Sequence, residues 1–223
     1  MQRTNAYERY RQPAPRRRRR RRRRAGRTLT WLLILVLIAA AAGWFLYGWY
    51  QDKLLRETLK TYPLAHRELI QRYAVSEGLE PAYMAAIIMS ESSFRTDATS
   101  NVNAQGLMQI MPETGEWIAG KFGETYTDGC LYDPETNVKY GCWYMGFLID
   151  RYNGDKACAS AAYHSGQGTV DGWLQNPEYS ADGRTLTVIP GENANTYVER
   201  VLRYYEKYKE IYGVGLTEHA ETH

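Results

Sequence analysis

The chain contains one long stretch of uninterrupted apolar residues close to its N-terminus. No charged residue occurs from Thr28 to Gln51, and Trp31–Tyr50 supplies 20 consecutive residues that are nearly all apolar. An α-helix needs about 20 such residues to cross the roughly 30 Å hydrocarbon core of a membrane. Aromatic residues at both ends of the stretch suit the headgroup region. We therefore predict a single N-terminal transmembrane helix over residues 29–50.

After this segment, apolar residues recur at intervals of three and four, which is typical of amphipathic helices. The predicted helices are a stalk at 51–62 that stops at Pro63, followed by 64–77, 81–92, 112–122, 134–152, 155–163 and 192–212. Loops are expected at 96–111 and 166–190, with 185–189 as an irregular strand or a loop. Loops of this length in a compact domain are often functional. The expected fold class is mainly α.

The formal net charge of +3 is the sum of two regions of opposite charge. Residues 1–27 carry 13 arginines and one acid, a formal +12, whereas residues 28–223 carry 15 basic and 24 acidic residues, a formal −9. An arginine excess beside a membrane helix favours a cytoplasmic N-terminus, so residues from about 52 onward are expected outside the cytoplasm. We expect the tail to attract anionic lipids. Specific nucleic-acid binding is not expected, because the basic charge lies outside the part that can fold.

These patterns divide the chain into five parts. They are an Arg-rich cytoplasmic tail (1–28), the transmembrane helix (29–50), the stalk (51–62), a folded domain (63–213) and a flexible tail (214–223). The competing interpretation of the apolar segment is a cleaved signal peptide, with Leu32–Ile38 as its apolar run and Ala39–Ala42 as its cleavage site. Eight further residues beyond Ala42 continue the apolar character, which favours the membrane helix.

The cysteines indicate no metal site. Cys130, Cys142 and Cys158 include no CxxC spacing. A Cys142–Cys158 disulfide is not expected, because antiparallel helices at 134–152 and 155–163 would leave these residues about 10 Å out of register. A Cys130–Cys142 disulfide stays open, and burial as small apolar residues is the default expectation.

One acidic residue occupies an unusual position. In the helix predicted at 81–92, Met84, Ile87 and Ile88 define an apolar stripe, and Glu91 falls on it near the C-terminal end. Apolar surroundings and the negative end of the helix dipole both raise the pKa of a carboxyl group. Such a group would be protonated near neutral pH, as a general acid in glycoside cleavage requires. The alternative is a frayed helix end with Glu91 in solvent.

Several short motifs follow one another in a characteristic order. They are Ser90–Phe94 (SESSF), Gly106–Thr114 (GLMQIMPET) and Ala162–Gly166 (AYHSG), with a Tyr197-Val198 pair in the last helix. In this order they resemble the lytic transglycosylases of the soluble-lytic-transglycosylase type, within the lysozyme-like superfamily. The resemblance runs from about residue 64 to residue 212. It implies a lysozyme-like transglycosylase domain.

Glu91 matches the sole catalytic acid/base of that family. The resemblance implies that it protonates the glycosidic oxygen between N-acetylmuramic acid and N-acetylglucosamine in peptidoglycan. It then takes the proton of the muramic C6 hydroxyl, whose oxygen closes onto C1 to give a 1,6-anhydro sugar without consuming water. No second carboxylate stands out, unlike in glycosidases that use two. Asp97 is the candidate partner if the reaction is hydrolysis.

The resemblance also implies a set of substrate-binding residues. They are Ser92, Gly106, Leu107, Met108, Gln109, Tyr163, His164 and Tyr197. Gly106 would allow close backbone approach, and Gln109 could hydrogen-bond an acetamido group. Met108 would line the cleft, while for Leu107 a place in the core is favoured over direct contact.

Two aromatic positions are expected to lie beside the catalytic acid. Tyr163 would place its phenol over the cleft, and Tyr197 would hydrogen-bond and orient the Glu91 carboxylate. Where the family usually reads Ala-Tyr-Asn-Ala-Gly, this chain has His164 in place of Asn, which could still donate a hydrogen bond with some pH dependence or serve a structural role. Where the family often has an acid, four residues before Tyr197, this chain has Asn193.

The resemblance thus implies a bacterial, membrane-anchored lytic transglycosylase that acts outside the cytoplasmic membrane. Its expected partners are peptidoglycan glycan strands, the membrane through the N-terminal helix, and anionic lipids through the Arg-rich tail; no cofactor is expected. One alternative is a hydrolase similar to goose-type lysozyme, which shares the lone glutamate. Another is a non-catalytic peptidoglycan-binding or assembly module.

Overall fold

The computed structural model describes the backbone of residues 17–217 and the side chains of residues 27–217. The predictions for the Arg-rich tail concern side chains that lie almost entirely outside the described ones. Residues 218–223 lie outside both ranges. The chain divides into two compact units between Leu54 and Leu55.

The first unit consists of most of the long helix α1 (Arg17–Thr61). Within the described residues this is the only helix long and apolar enough to span a membrane, with a mean hydropathy of 2.4 over its best window. None of the side chains in that window is buried. Length and composition therefore agree with the predicted membrane helix, although a signal sequence meets the same criteria. The helix ends shortly before Pro63, as predicted.

The second unit is built from helices, in agreement with the expected fold class. In chain order they are α2 (Arg67–Ser76), α3 (Pro81–Glu91), α4 (Pro112–Phe122), a 3-10 turn (Cys130–Tyr132), α5 (Pro134–Arg151), α6 (Lys156–Ser165), α7 (Gln167–Leu174) and α8 (Glu192–Tyr212). Proline occupies the first turn of α3, α4 and α5, where its missing N–H costs nothing. The loop at 96–111 has two isolated antiparallel bridges, Thr99 to Gln105 and Gln105 to Ile110.

The structure corrects the prediction for one part of the 166–190 segment and decides between two alternatives for another. Residues predicted as loop form α7, although its sequence includes two glycines that disfavour helix. Val170 is fully buried there, so tertiary packing outweighs the low propensity. The alternating stretch at 185–189 is a loop and forms no strand within the described residues.

Helix α3 is the centre of the core. The sequence had indicated burial along one apolar stripe. All residues from Pro81 to Ile88 are buried, so this part of the helix is covered on every side. Its main neighbour is α8, whose buried face carries Tyr197, Val198, Val201, Tyr205, Tyr208 and Tyr212. The ring of Tyr83 meets the ring of Tyr205 edge-on, with centroids 5.7 Å apart. A helix this deeply packed can hold its last residue in a fixed position.

The C-terminal segment corrects one boundary. A flexible tail was expected from residue 214, but the Val214 carbonyl accepts a hydrogen bond from the Ala82 amide at 3.1 Å. Gln71 donates its side-chain amide to the Gly215 carbonyl at 2.8 Å, and Leu216 is fully buried. Residues 214–217 are thus part of the folded unit, because they satisfy backbone groups of α3 and cover apolar surface.

All three cysteines are free thiols. Cys142 and Cys158 are buried, which agrees with the default expectation. The disulfide left open between Cys130 and Cys142 is not formed.

Gly141 of α5 provides a test of this packing. A Cβ atom there would collide with the side chain of Met108, which is itself fully buried. We expect Gly141→Ala to lower the free energy of unfolding by about 1–3 kcal/mol through overpacking. The matched control is Gly120→Ala in α4, which meets no atom and should raise stability by about 0.5–1 kcal/mol. Thermal unfolding of the two detergent-solubilised variants would measure this, and equal midpoints would contradict the assignment.

Candidate active site

Glu91 is the last residue of α3, and its side chain is half-buried. The Tyr197 hydroxyl donates a hydrogen bond to its Oε1 atom at 2.6 Å. Burial raises the pKa of Glu91 to about 7, and this exceeds the opposing effects of the Tyr197 hydrogen bond and the nearby Arg200 charge. The carboxyl group is therefore substantially protonated near neutral pH, and the alternative of a frayed helix end in solvent is wrong.

Tyr197 lies between two other side chains. The His164 ring stacks on the Tyr197 ring, with centroids 4.4 Å apart and planes inclined by 15°. The Arg200 guanidinium lies 5.5 Å from the centre of the same ring. Arg200 was missed in the sequence, because an arginine one turn beyond Tyr197 on an amphipathic helix carries no signal of its own.

Tyr163 approaches the same carboxyl group but is bonded elsewhere. Its hydroxyl donates to the Met108 carbonyl at 2.8 Å. Burial and the negative charge of Glu91 both raise the pKa of Tyr163 well above its usual value, so this phenol stays protonated. Tyr163 thus ties α6 to the 96–111 loop, while its position over the cleft stays a prediction.

The 96–111 loop is shaped by contacts within the protein. Gly106 has a φ of +76°, and a Cβ atom there would collide with the Leu131 carbonyl and the Asn137 side chain. Its close backbone approach is therefore to the protein itself. The side chains of Leu107 and Met108 have no exposed surface. For Leu107, which the resemblance places in the substrate-binding set, this burial agrees with the place in the core that was favoured over contact, whereas lining of the cleft by the Met108 side chain is corrected to a place in the core.

Two polar residues of the motifs also hold this loop. The Ser92 hydroxyl is buried and donates to the Leu107 carbonyl at 2.7 Å, so it links the end of α3 to the loop rather than facing a ligand. Gln109 donates its side-chain amide to the carbonyls of Ala98 at 3.1 Å and Gly106 at 2.9 Å. Its amide oxygen is left as the group that could meet an acetamido N–H.

Asn137 of α5 is the main residue that sequence reasoning missed. It is fully buried and accepts a hydrogen bond from the Met108 amide at 2.8 Å. It donates to the carbonyls of Gln105 at 2.9 Å and Leu131 at 2.7 Å. One asparagine thus satisfies three backbone groups of the loop and the 3-10 turn. Its only sequence signal is a polar residue on the inner face of a helix.

A groove lies along a row of aromatic side chains next to Tyr163. Tyr144 lies 5.5 Å from Tyr163 and 6.2 Å from Trp117, measured between ring centroids. The groove has a volume of about 250 Å³ and is lined by Glu113, Thr114, Trp117, Tyr144 and Gln167. Trp117 is 39% exposed within it. A larger open depression of about 470 Å³, between residues 186–189 and the first turn of α8, includes none of the residues around Glu91.

Asp97, the candidate second carboxylate, is exposed, and so is Asn193, which stands where the family often has an acid. The described residues contain no group of three or more His, Cys, Asp or Glu side chains that could hold a metal ion. Glu91, in contrast, is half-buried near the phenols of both Tyr163 and Tyr197.

Comparison with known proteins identifies the family. The Transglycosylase SLT domain family matches residues 68–185, which include Glu91, the 96–111 loop and Tyr163. The chain belongs to this family. The SLT domain therefore accounts for more than half of the chain, and Tyr197 lies on the helix that follows the matched region.

Curated relatives of the SLT domain include enzymes with and without membrane attachment. The "Soluble lytic murein transglycosylase" of Escherichia coli K12 is 34% identical over 164 residues, covering 72% of this chain and 25% of the relative. The "Membrane-bound lytic murein transglycosylase C" of Actinobacillus pleuropneumoniae serotype 5b is 30% identical over 165 residues, covering 64% and 45%. The chain thus spans about a quarter to a half of the length of these relatives.

Solved structures resemble the SLT domain in the same way. The 70 kDa soluble lytic transglycosylase of Escherichia coli matches with a TM-score of 0.64 and 31% identity, over 74% of this chain and 27% of that one. An inactive mutant of the lytic transglycosylase Slt from Pseudomonas aeruginosa matches with a TM-score of 0.60 and 34% identity, over 67% and 24%. These matches agree with the lysozyme-like transglycosylase fold expected from the motifs.

The hydrogen bond from Tyr197 can be tested by titration of the SLT domain. Tyr197→Phe removes a bond that favours the charged carboxylate, while the burial that favours the neutral acid remains. We expect the pKa of Glu91 to rise above its value of about 7, as measured by NMR of the labelled side-chain carboxyl carbon. The matched control is Tyr205→Phe on the same helix, whose hydroxyl bonds Glu80 instead. An unchanged Glu91 titration in Tyr197→Phe would refute the proposed coupling.

Proposed function

We propose that this protein is a membrane-anchored lytic transglycosylase, which cleaves the bond between N-acetylmuramic acid and N-acetylglucosamine and leaves 1,6-anhydromuramic ends. The observation that carries the proposal is the half-buried Glu91 carboxyl group, which accepts a hydrogen bond from Tyr197 and whose pKa burial raises to about 7. A group with this pKa can both give and take a proton at neutral pH. Membership of the SLT family supports the choice of reaction.

In the proposed mechanism, Glu91 acts twice. Protonated Glu91 gives its proton to the glycosidic oxygen as the bond to muramic C1 breaks. The resulting carboxylate then takes the proton of the C6 hydroxyl, and O6 forms the new bond to C1. Because one proton leaves and one returns, Glu91 ends in its starting state and no water is consumed. Tyr197 occupies Oε1, which leaves Oε2 as the oxygen that transfers the proton.

The surroundings of Glu91 support a polymeric glycan as the substrate. Backbone groups of the 96–111 loop and the Gln109 amide oxygen are suited to acetamido groups, which offer one donor and one acceptor. The groove along Tyr144 and Trp117 continues from Tyr163, and flat aromatic rings suit the apolar faces of sugar rings. Together with the proton transfer at Glu91, these features favour an enzyme over a non-catalytic binding module.

The arrangement proposed for the whole chain follows from α1. Residues 1–28 would be cytoplasmic and attract anionic lipids, 29–50 would cross the membrane, 51–62 would form the stalk, and the domain from residue 63 would lie outside. The apolar window of α1 and the membrane-bound relative support this arrangement. The substrate would then be the peptidoglycan next to the outer surface of the cytoplasmic membrane.

The products of cleavage test the proposed reaction. The full chain in detergent should release muropeptides with anhydromuramic ends from purified peptidoglycan, which mass spectrometry detects as products lighter by one water than hydrolysis products. Glu91→Gln should reduce turnover by about 10³-fold or more while binding to peptidoglycan is kept, because it removes the proton-transfer group.

The matched control is Glu77→Gln, which alters another partly buried glutamate whose pKa is raised by burial. It should leave turnover unchanged. Reducing ends in place of anhydro ends would identify a hydrolase, and full activity in Glu91→Gln would rule out the enzymatic assignment of this site.

A second test concerns the groove. Trp117→Ala should weaken cleavage of long glycan strands several-fold through kcat/KM and have less effect on short oligosaccharides, since only long strands would reach the groove. Phe122→Ala is the matched control, because Phe122 is 37% exposed on the same helix but does not line the groove. Chromatography of the products from strands of defined length would measure these rates. Equal losses of kcat/KM in the two variants would argue against the groove as a glycan site.

A further inference from the structure

His164 stacks on the side chain of Tyr197. Its ring lies nearly parallel to that of Tyr197 at 4.4 Å, while its own surface remains partly exposed to solvent. Tyr197 is buried, with 2% of its surface exposed, and its hydroxyl holds Oε1 of Glu91. Any movement of the Tyr197 ring would therefore move the partner of the acid.

The charged groups to consider lie on four helices, α3, α5, α7 and α8. Arg200 of α8 lies beside Tyr197, and Glu91 of α3 is reached through the Tyr197 hydroxyl. On α5 and α7, Arg151 and Asp171 form an ion pair with each other. Burial and the Arg200 charge lower the pKa of His164 from its usual value of 6.5. The folded arrangement thus favours neutral imidazole, because a charged imidazolium would be partly desolvated and would face the Arg200 charge.

We propose that His164 is a positioning residue that holds Tyr197 against Glu91, and that protonation of His164 sets the acid limit of the reaction. The inference rests on the function proposed above. It goes beyond a direct contact between His164 and substrate, because the effect passes through the ring of Tyr197. It also depends on a histidine at a position where the family usually has asparagine.

The two limbs of the pH profile have separate origins under this proposal. Glu91 must begin the reaction protonated, so its ionisation lowers kcat/KM only as the pH rises through about 7. A loss of activity below pH 6.5 therefore needs another group. Protonated His164 would be repelled by Arg200 and release Tyr197, which lowers kcat on the acid side.

The test is the pH profile of kcat and kcat/KM for the full chain in detergent on purified peptidoglycan. His164→Phe keeps a flat ring on Tyr197 but cannot titrate, so we expect the acid limb to be lost and kcat at pH 7 to fall less than in His164→Asn. His164→Asn removes both the ring and the titration. It should lower kcat about tenfold at every pH, as expected for a mispositioned proton-transfer group.

The matched control is His66→Asn, at the left-handed position before α2, which should leave both limbs unchanged. An acid limb that persists unaltered in His164→Phe would overturn the positioning role. Full activity of His164→Asn across the pH range would overturn it as well. In both cases normal cleavage at pH 7 leaves the proposed function standing, whereas no cleavage by wild type at any pH would overturn that function too.

Discussion

The hydrogen bond between Tyr197 and Glu91 is the interaction on which the site depends. The two residues are 106 positions apart in sequence and meet because α3 and α8 pack along their lengths. Burial of α3 on all sides places its last carboxyl group in a region of low dielectric, which raises the pKa of Glu91. Because the folded pKa exceeds the usual value of 4.5, this burial costs stability increasingly as the pH rises toward 7. The core of the domain thus bears the cost of an acid that works at neutral pH.

The loop beside Glu91 has a different basis for its shape. It has isolated bridges and a few further backbone hydrogen bonds but no regular ladder, so side chains satisfy several of its other backbone groups. Asn137, Ser92, Gln109 and Tyr163 each bond a loop carbonyl or amide. Several residues that seemed to be ligand contacts are therefore what fixes the loop. These side chains thus set the direction of the loop backbone beside Glu91.

The extent to which the sequence predicts this structure follows from the range of the interactions. Apolar periodicity and prolines are local, and they predicted the start of α4 and the whole of α8 correctly. The helix α7 was missed because burial of Val170 comes from the tertiary fold. Asn137 was missed for the same reason, since its partners lie on other segments. Arg200 was missed because an arginine one turn from Tyr197 on an amphipathic helix carries no signal of its own. Glu91 was found because its anomaly, an acid among apolar neighbours, is visible within one helix.

Electrostatics limits how the proposed enzyme could find its substrate. Residues 28–223 carry a formal −9, so the folded domain has no general attraction for an anionic cell wall. Recognition must then come from short-range contacts, such as the loop backbone and the ring of Trp117. A membrane anchor would offset the missing long-range attraction, because tethering raises the effective concentration of the domain near the membrane without any new contact. The positive tail would thus help to hold the protein at the membrane. The negative domain would bind its substrate only through the specific contacts of the cleft.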